Sequence, residues 1–291
     1  MKITFLSLII LAIITGNLIT IKAQCSDAGV CSVGGHLMEQ ENKSLFNISA
    51  SYKFGSSGKD DEVKYHSFQL GAAYNVLEKT SFQLSIPYNI QSGPLGEVNG
   101  IGDLIFSATQ NIYSDESSSL ATSIGAKLAT GDDNKKANLP TAYQSGLGSN
   151  DVLLALNYSY NDIGLGIGYQ LAGGRNKNTL TKLKRGDDLL LRASYNFSFD
   201  GFRIMPQLLF IKRFGESSIL DTAYIGAMET YIDVANSDQT QLNFLTTFQY
   251  QINNNYSLVA DFAFPFLKRE VNVDGLTRAF SVSVGVVFIV D

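Results

Sequence analysis

The chain of 291 residues has few of the side chains that most catalytic and metal sites need. It contains two cysteines and two histidines, His36 and His66. A hydrolase site would need a histidine beside a serine or an acid. His66 precedes Ser67, but neighbouring residues of a strand point to opposite faces, so they make a poor base–nucleophile pair. We therefore interpret His66 as a solvated loop residue and expect no enzyme activity, no metal and no cofactor.

Long apolar runs are also missing after the first residues, and this excludes a helical membrane protein, which needs about 20 apolar residues per span. Residues 5–14 are apolar, follow the single positive charge of Lys2, and precede a short segment that ends at Ala23. This pattern predicts an export signal over residues 1–23. Lipid attachment at Cys25 is a weaker alternative, because Gln24 stands where a small residue is expected.

Positive charge is scarce as well, since the chain has 22 basic and 27 acidic residues and a formal net charge of −5. This balance argues against a nucleic-acid partner. Cys25 and Cys31 lie in the predicted periplasmic segment 24–43, where an oxidising compartment favours a disulfide between them. A soft-metal site formed by these cysteines with His36 and Met38 is a second, less favoured interpretation.

Most of the chain instead alternates apolar with polar or small residues. In residues 280–290, Phe280, Val282, Val284 and Val286 alternate with Ser281, Ser283 and Gly285. An extended strand with this pattern has one continuous apolar face, and its length suits a tilted strand that crosses a membrane. A mean hydropathy of +0.04 fits a barrel in which lumen-facing and lipid-facing residues alternate.

The repeated pattern predicts an all-β protein, a transmembrane antiparallel up-and-down β-barrel over residues 44–291 with about twelve strands, ten to fourteen being the range. The last strand is expected to pair with residues 44–54 and to close the barrel. The predicted strands are 46–54, 68–76, 82–90, 102–113, 119–129, 152–160, 163–172, 188–199, 202–213, 241–252, 256–267 and 279–290.

Connections of alternating length support this interpretation. Outer-membrane barrels have short periplasmic turns and longer external loops, which predicts a bacterial outer-membrane location with both termini in the periplasm. The expected partners are outer-membrane lipid, lipopolysaccharide and the barrel-assembly machinery. Basic residues at 175–185, including Arg185, are expected to face outward, and residues 223–228 are expected to form a short strand or helix.

Two prolines and three glycines interrupt this regular pattern. Pro87 and Pro265 remove backbone donors inside predicted strands, so we expect a bulge or bend at each. Gly164, Gly166 and Gly168 fall on the inward face of one strand, where they make room for a plug or for bulky neighbours.

Four short motifs resemble those of the outer-membrane barrels in the phenol-degradation meta-pathway transporter family, which are similar to fatty-acid transporters. The motifs are residues 74–76, 84–88, 100–104 and 126–132, and the opening residues 24–31 resemble related Bacteroidetes barrels. The resemblance implies an outer-membrane barrel that passes small, often hydrophobic or aromatic molecules.

The inward-facing residues predict a polar lumen. The candidate lumen-lining residues are Lys53, Gln69, Gln83, Asp103, Lys127, Asn157, Arg192, Arg203, Asn243 and Asp261. The first functional hypothesis is passive or facilitated passage of a small-molecule solute. The alternative is a structural or adhesive barrel whose lumen is packed and whose external loops bind a partner.

Overall fold

The computed structural model describes residues 45–58, 62–77, 79–137, 139–223 and 228–290 of the protein. The predicted signal peptide and the segment 24–43, with Cys25 and Cys31, lie outside these residues. The strands are β1 (Phe46–Ser56), β2 (Lys64–Leu77), β3 (Thr80–Gly93), β4 (Gly96–Ile101), β5 (Leu104–Ser114), β6 (Ser118–Leu128), β7 (Asp151–Tyr160), β8 (Ile163–Leu171), β9 (Asp187–Tyr195), β10 (Phe197–Phe199), β11 (Phe202–Phe214), β12 (Ser218–Leu220), β13 (Tyr231–Asp233), β14 (Thr240–Gln251), β15 (Tyr256–Leu267) and β16 (Phe280–Val290).

Twelve of these strands form a closed antiparallel barrel, as the alternation predicts. Each of the twelve pairs with the barrel strands that come before and after it in the chain. The short strands β4, β10, β12 and β13 are not part of this order. The first and last strands close the barrel along their whole lengths, from Phe46 opposite Val290 to Ser56 opposite Phe280. Closure leaves no strand edge exposed, which is the requirement for a sheet in lipid.

The two ends of the barrel differ. At one end the strands are joined by short connections, such as residues 115–117, 161–162 and 200–201, and we call this the turn end. At the other end, the loop end, the connections are longer, as in 129–150 and 268–279. Within the described residues, no helix has the length and apolar composition needed to span a bilayer.

The outer face of the barrel is apolar. Leu156, Leu165 and Val284 point outward at mid-height with 42–56% of their surface exposed. Aromatic rings flank this aliphatic zone: Phe202 and Tyr250 are 4.4 Å apart near the turn end, and Phe54 and Phe280 are 5.8 Å apart near the loop end. Aromatic girdles around an apolar band are typical of barrels that cross a membrane.

The structure departs from the predicted elements in three places. The predicted loop 91–101 contains β4, which folds back on β3 as a hairpin, and the predicted strand 188–199 is interrupted at Asn196. The predicted loop 214–240 contains the short strands β12 and β13, which pair with each other, and residues 224–227 of the expected short element at 223–228 lie outside the described residues.

The two strand prolines behave differently. Opposite Pro265, the β14–β15 register shifts between Leu242 and Asn243, so the predicted bulge is confirmed there. Pro87 pairs with Gln69 in an unbroken β2–β3 register. It lies where β3 changes partner from β5 to β4, and its carbonyl accepts a hydrogen bond from Gly102 N at 2.8 Å. A residue without an N–H fits this point, because neither β5 nor β4 pairs with residue 87 and no hydrogen bond between strands is lost.

Candidate functional site

The barrel interior is the candidate site, and the strand register places the predicted lumen residues on its inward face. Nine of the ten lie in strands whose inward rows are continuous around the barrel, and Asp103 directly precedes β5. Asp103, Lys127, Asn157 and Asn243 are buried, with 0–8% of their surface exposed. The partly exposed ones are Lys53, Gln69, Gln83, Arg192, Arg203 and Asp261.

Buried charges gather where the strands meet the long loops. Asp151, which begins β7, forms an ion pair through Oδ2 with Lys127 Nζ at 2.6 Å, and the same oxygen accepts hydrogen bonds from Arg185 Nη2 at 2.5 Å and from Gln170 Nε2 at 2.5 Å. Its Oδ1 accepts from Gly173 N at 3.0 Å. All four side chains are at most 5% exposed. Asp151 therefore ties β6, β7 and β8 to the loop that precedes β9.

The same network continues to the loop between β15 and β16. Arg213 donates two hydrogen bonds to Asp188, at 2.9 and 3.0 Å, and a third to Asp274 Oδ2 at 3.0 Å. Arg269 donates to the same oxygen at 3.4 Å, and Arg185 lies 3.9 Å from Asp188. Asp274 thus holds the loop 268–279 against the barrel wall, and Arg185, which contacts both Asp151 and Asp188, joins the two halves of one ion network.

Burial by itself would raise the pKa of Asp274, but Arg269 and Arg213 outweigh this effect and hold its pKa well below the ordinary range. At Asp103, burial raises the pKa, although Lys127 opposes the shift. Asp103 Oδ1 accepts from Gly131 N at 3.1 Å and its Oδ2 from Leu147 N at 2.9 Å. Both carboxylates hold long loops to the barrel.

A second cluster covers the loop end beside β2, β3 and β4. Val63, Tyr65, Val98 and Tyr143 are buried together, with at most 7% of each side chain exposed. The guanidinium of Arg278 stacks 3.1 Å from the centre of the Tyr65 ring, and Tyr65 OH donates to Gly275 O at 3.3 Å. The loops 129–150 and 268–279 therefore fold over this part of the barrel.

On the turn-end side of the ion network lies a group of inward apolar side chains that the alternation does not predict. Leu153, Leu190, Leu209, Ile211 and Ala263 point inward and are at most 5% exposed. Ile105, Ala155 and Leu245 pack against them, so six strands contribute. We call this group the aliphatic cluster. Its burial shows that the interior at this level is tightly packed.

Gly166 and Gly168 create space next to the aliphatic cluster, as their inward position predicts. One register row across β7, β8, β9 and β11 holds Asn157, Gly166, Arg192 and Leu209. The row on the loop-end side of it holds Ala155, Gly168, Leu190 and Ile211. Because neither glycine has a side chain, a small cleft opens between these rows and is lined by residues of both.

The other side of the interior is polar and partly exposed. Asp261 on β15 accepts hydrogen bonds from Thr247 Oγ1 at 2.7 Å and from Ser283 Oγ at 2.6 Å. Gln69 donates to Ser85 on the neighbouring strand. Serine, threonine and glutamine dominate these rows, so a solute here would meet hydroxyl and amide groups.

Two predicted positions are wrong. Arg185 does not face outward with the other basic residues of its loop; it is 5% exposed and bound to Asp151 inside the barrel, because that buried carboxylate needs a cation. His66 is not a loop residue; it lies in β2 on the outer face, where its Nδ1 is 2.7 Å from Tyr52 OH. Ser67 faces inward on the opposite side of the strand.

Comparisons with known proteins support the fold. No family model and no curated protein matches the chain. Among solved structures, an outer membrane channel from Pseudomonas putida F1 aligns with a TM-score of 0.63 at 13% identity, over 84% of this chain and 95% of that one. The NanC porin aligns at 13% identity over 84% and 98% of the two chains, with a TM-score of 0.49. The family resemblance of the sequence motifs stays a prediction.

Proposed function

We propose that the chain is an outer-membrane channel that lets small molecules cross passively or with weak facilitation. The observation that supports this best is the partly exposed polar face inside a closed barrel whose outer face is apolar. Water reaches six of the ten lumen candidates, among them Lys53, Arg192 and Asp261. A barrel of twelve strands is wide enough for such an interior.

In this proposal the short turns and both termini face the periplasm, and the long loops face the outside. The aliphatic cluster and the loop-end ion network represent the closed state of the channel. Passage then requires the loops to move, because the loops 129–150 and 268–279 pack over the interior. A hydrophobic or aromatic solute, which the motif resemblance implies, is part of the proposal.

Solute uptake by liposomes that contain the purified barrel tests the proposal. We expect small solutes to enter and uptake to fall as solute size rises. Arg192→Glu reverses a charge that faces the lumen, so the preference for anions over cations should fall. Lys177→Glu, which makes the same charge change on an exposed loop, is the matched control and should change the preference less. Liposomes that take up none of the solutes would rule out passage.

The packed aliphatic cluster favours a second candidate, a structural barrel whose loops bind a partner. The hairpin β12–β13 and its neighbourhood expose apolar side chains, with Met228 at 78% and Ile232 at 48%. Deletion of residues 215–239 separates the candidates. Lost binding to envelope components with unchanged uptake would favour the structural role, and changed uptake with unchanged binding would favour the channel.

A further inference from the structure

The cleft over Gly166 and Gly168 combines a polar and an apolar surface. On the turn-end side, Asn157 and Arg192 stand in one register row on either side of Gly166. Neighbouring strands are about 4.8 Å apart, so these two residues face each other across roughly 10 Å of backbone. The amide of Asn157 lies over Gly166, with its Oδ1 2.9 Å from the position of a Cβ there, and Arg192 flanks the glycine on the other side, with its own Cβ at 3.5 Å.

On the loop-end side, the next row is apolar. Ala155 and Leu190 flank Gly168 in this row, and Leu209, which stands opposite Arg192 in the turn-end row, closes the cleft from β11. Two residues along a strand separate the rows by about 7 Å. A small organic acid with one ring, whose whole length including its van der Waals surface is similar to this separation, can therefore touch both rows at once.

The size of the cleft limits its ligand. As it stands, the cleft has an accessible volume of about 10 Å³, which is room for roughly one water molecule. A ligand with one ring or a short chain therefore requires the long side chain of Arg192 to turn toward the lumen and widen the cleft.

From this arrangement we infer that the cleft is a binding subsite for small monocarboxylates with an apolar group. Arg192 binds the carboxylate through its planar guanidinium, Asn157 donates its amide N–H to the same group, and the apolar part lies over Gly168 against Leu190 and Leu209. The inference names a solute class for the channel, so it rests on the proposed function.

Titration calorimetry with the purified full-length barrel in detergent tests the subsite without requiring conduction. The probes are benzoate, its neutral analogue benzamide, and acetate, which lacks the ring. We expect benzoate to bind more tightly than either of the other two. Arg192→Gln removes a charge-assisted hydrogen bond and should weaken benzoate binding by about 10- to 100-fold, whereas Arg192→Lys should retain part of the affinity.

Gly166→Val supplies an independent test of the geometry. A Cβ at residue 166 would lie 2.9 Å from Asn157 Oδ1 and 3.5 Å from Arg192 Cβ, so a valine fills the cleft. Benzoate binding should fall although both polar groups remain. Lys177→Gln removes an exposed positive charge and should leave binding unchanged. Gel electrophoresis checks that each variant is folded, because a folded barrel migrates faster in an unheated sample than after heating.

Three results would overturn the subsite: no benzoate binding to the wild type, equal binding of benzoate and benzamide, or unchanged binding in a folded Arg192→Gln barrel. Liposome uptake of neutral solutes distinguishes this failure from failure of the channel. If neutral solutes are taken up but benzoate does not bind, the channel proposal stands and the subsite fails. If benzoate binds but no solute is taken up, the subsite stands in a barrel that does not conduct.

Discussion

Replacing Asp274 by asparagine tests whether the loop-end network closes the barrel. The carboxylate is fully buried and contacts both Arg213 and Arg269. Asparagine keeps the size of the side chain but removes the negative charge on which the two guanidinium groups converge. The loop 268–279 should therefore lose much of what holds it against β9 and β11.

The size of the effect follows from the burial of this contact. Breaking a buried ion pair by removing one partner costs about 3–5 kcal/mol, and each 1.4 kcal/mol changes an equilibrium tenfold. The open population of the loop should thus rise by about 100- to 4,000-fold. An exposed pair gives the matched control: Lys212 Nζ and Asp238 Oδ2 are 3.6 Å apart with the carboxylate side chain 48% exposed. Such pairs are worth about 0–1 kcal/mol, so Asp238→Asn should change little.

Limited trypsin digestion of the folded barrel measures loop opening directly. Arg269 and Arg278 are trypsin sites inside the loop, and both are at most 5% exposed. When opening is fast relative to cleavage, the cleavage rate follows the open population. Cleavage at these two sites should accelerate strongly in Asp274→Asn and remain slow in Asp238→Asn. Equal cleavage rates in wild type and Asp274→Asn would refute a role of the network in loop closure.

Three further outcomes are expected. Leu153→Ala removes a fully buried side chain from the aliphatic cluster, so thermal melting should show a loss of about 2–5 kcal/mol, and single-channel records should show more open events if the cluster blocks the lumen. Asp103→Asn replaces one of two carboxylate oxygens that accept backbone N–H groups; hydrogen exchange at Gly131 or Leu147 should accelerate, consistent with about 1–3 kcal/mol. Because the pKa of Asp274 is lowered in the folded barrel, the ionised carboxylate stabilises the loop fully at any pH above the ordinary pKa of about 3.9, and this stabilisation is lost only as the pH falls further. Hydrogen exchange in the loop, corrected for intrinsic rates, should therefore show equal protection at pH 5 and pH 8.

The wall of the barrel could be predicted from the sequence because each strand repeats a two-residue pattern that depends on its own residues. Phe280 to Val290 shows this well: its alternation predicts both the strand and its pairing with the first strand, and the register with β1 agrees. The inward rows then follow from parity, which places Lys53, Arg192 and Asp261 on one face.

The contents of the interior could not be predicted in the same way, because they depend on contacts between distant strands and loops. Leu190 and Leu209 lie in apolar runs where parity gives no signal for the inward residue, so the aliphatic cluster was missed. Arg185 lies among exposed basic residues, and only the fold shows that it meets Asp151. The hairpin of β3 and β4 likewise depends on where β3 changes partner.

Single-channel recording of the purified barrel in planar bilayers distinguishes a lumen that conducts from one that is packed. The channel account predicts discrete current steps in wild type, with an ion preference that changes in Arg192→Glu and a larger open fraction in Asp274→Asn. A folded barrel that gives no current steps in any of the three forms would contradict passage through the lumen and would favour a packed structural barrel.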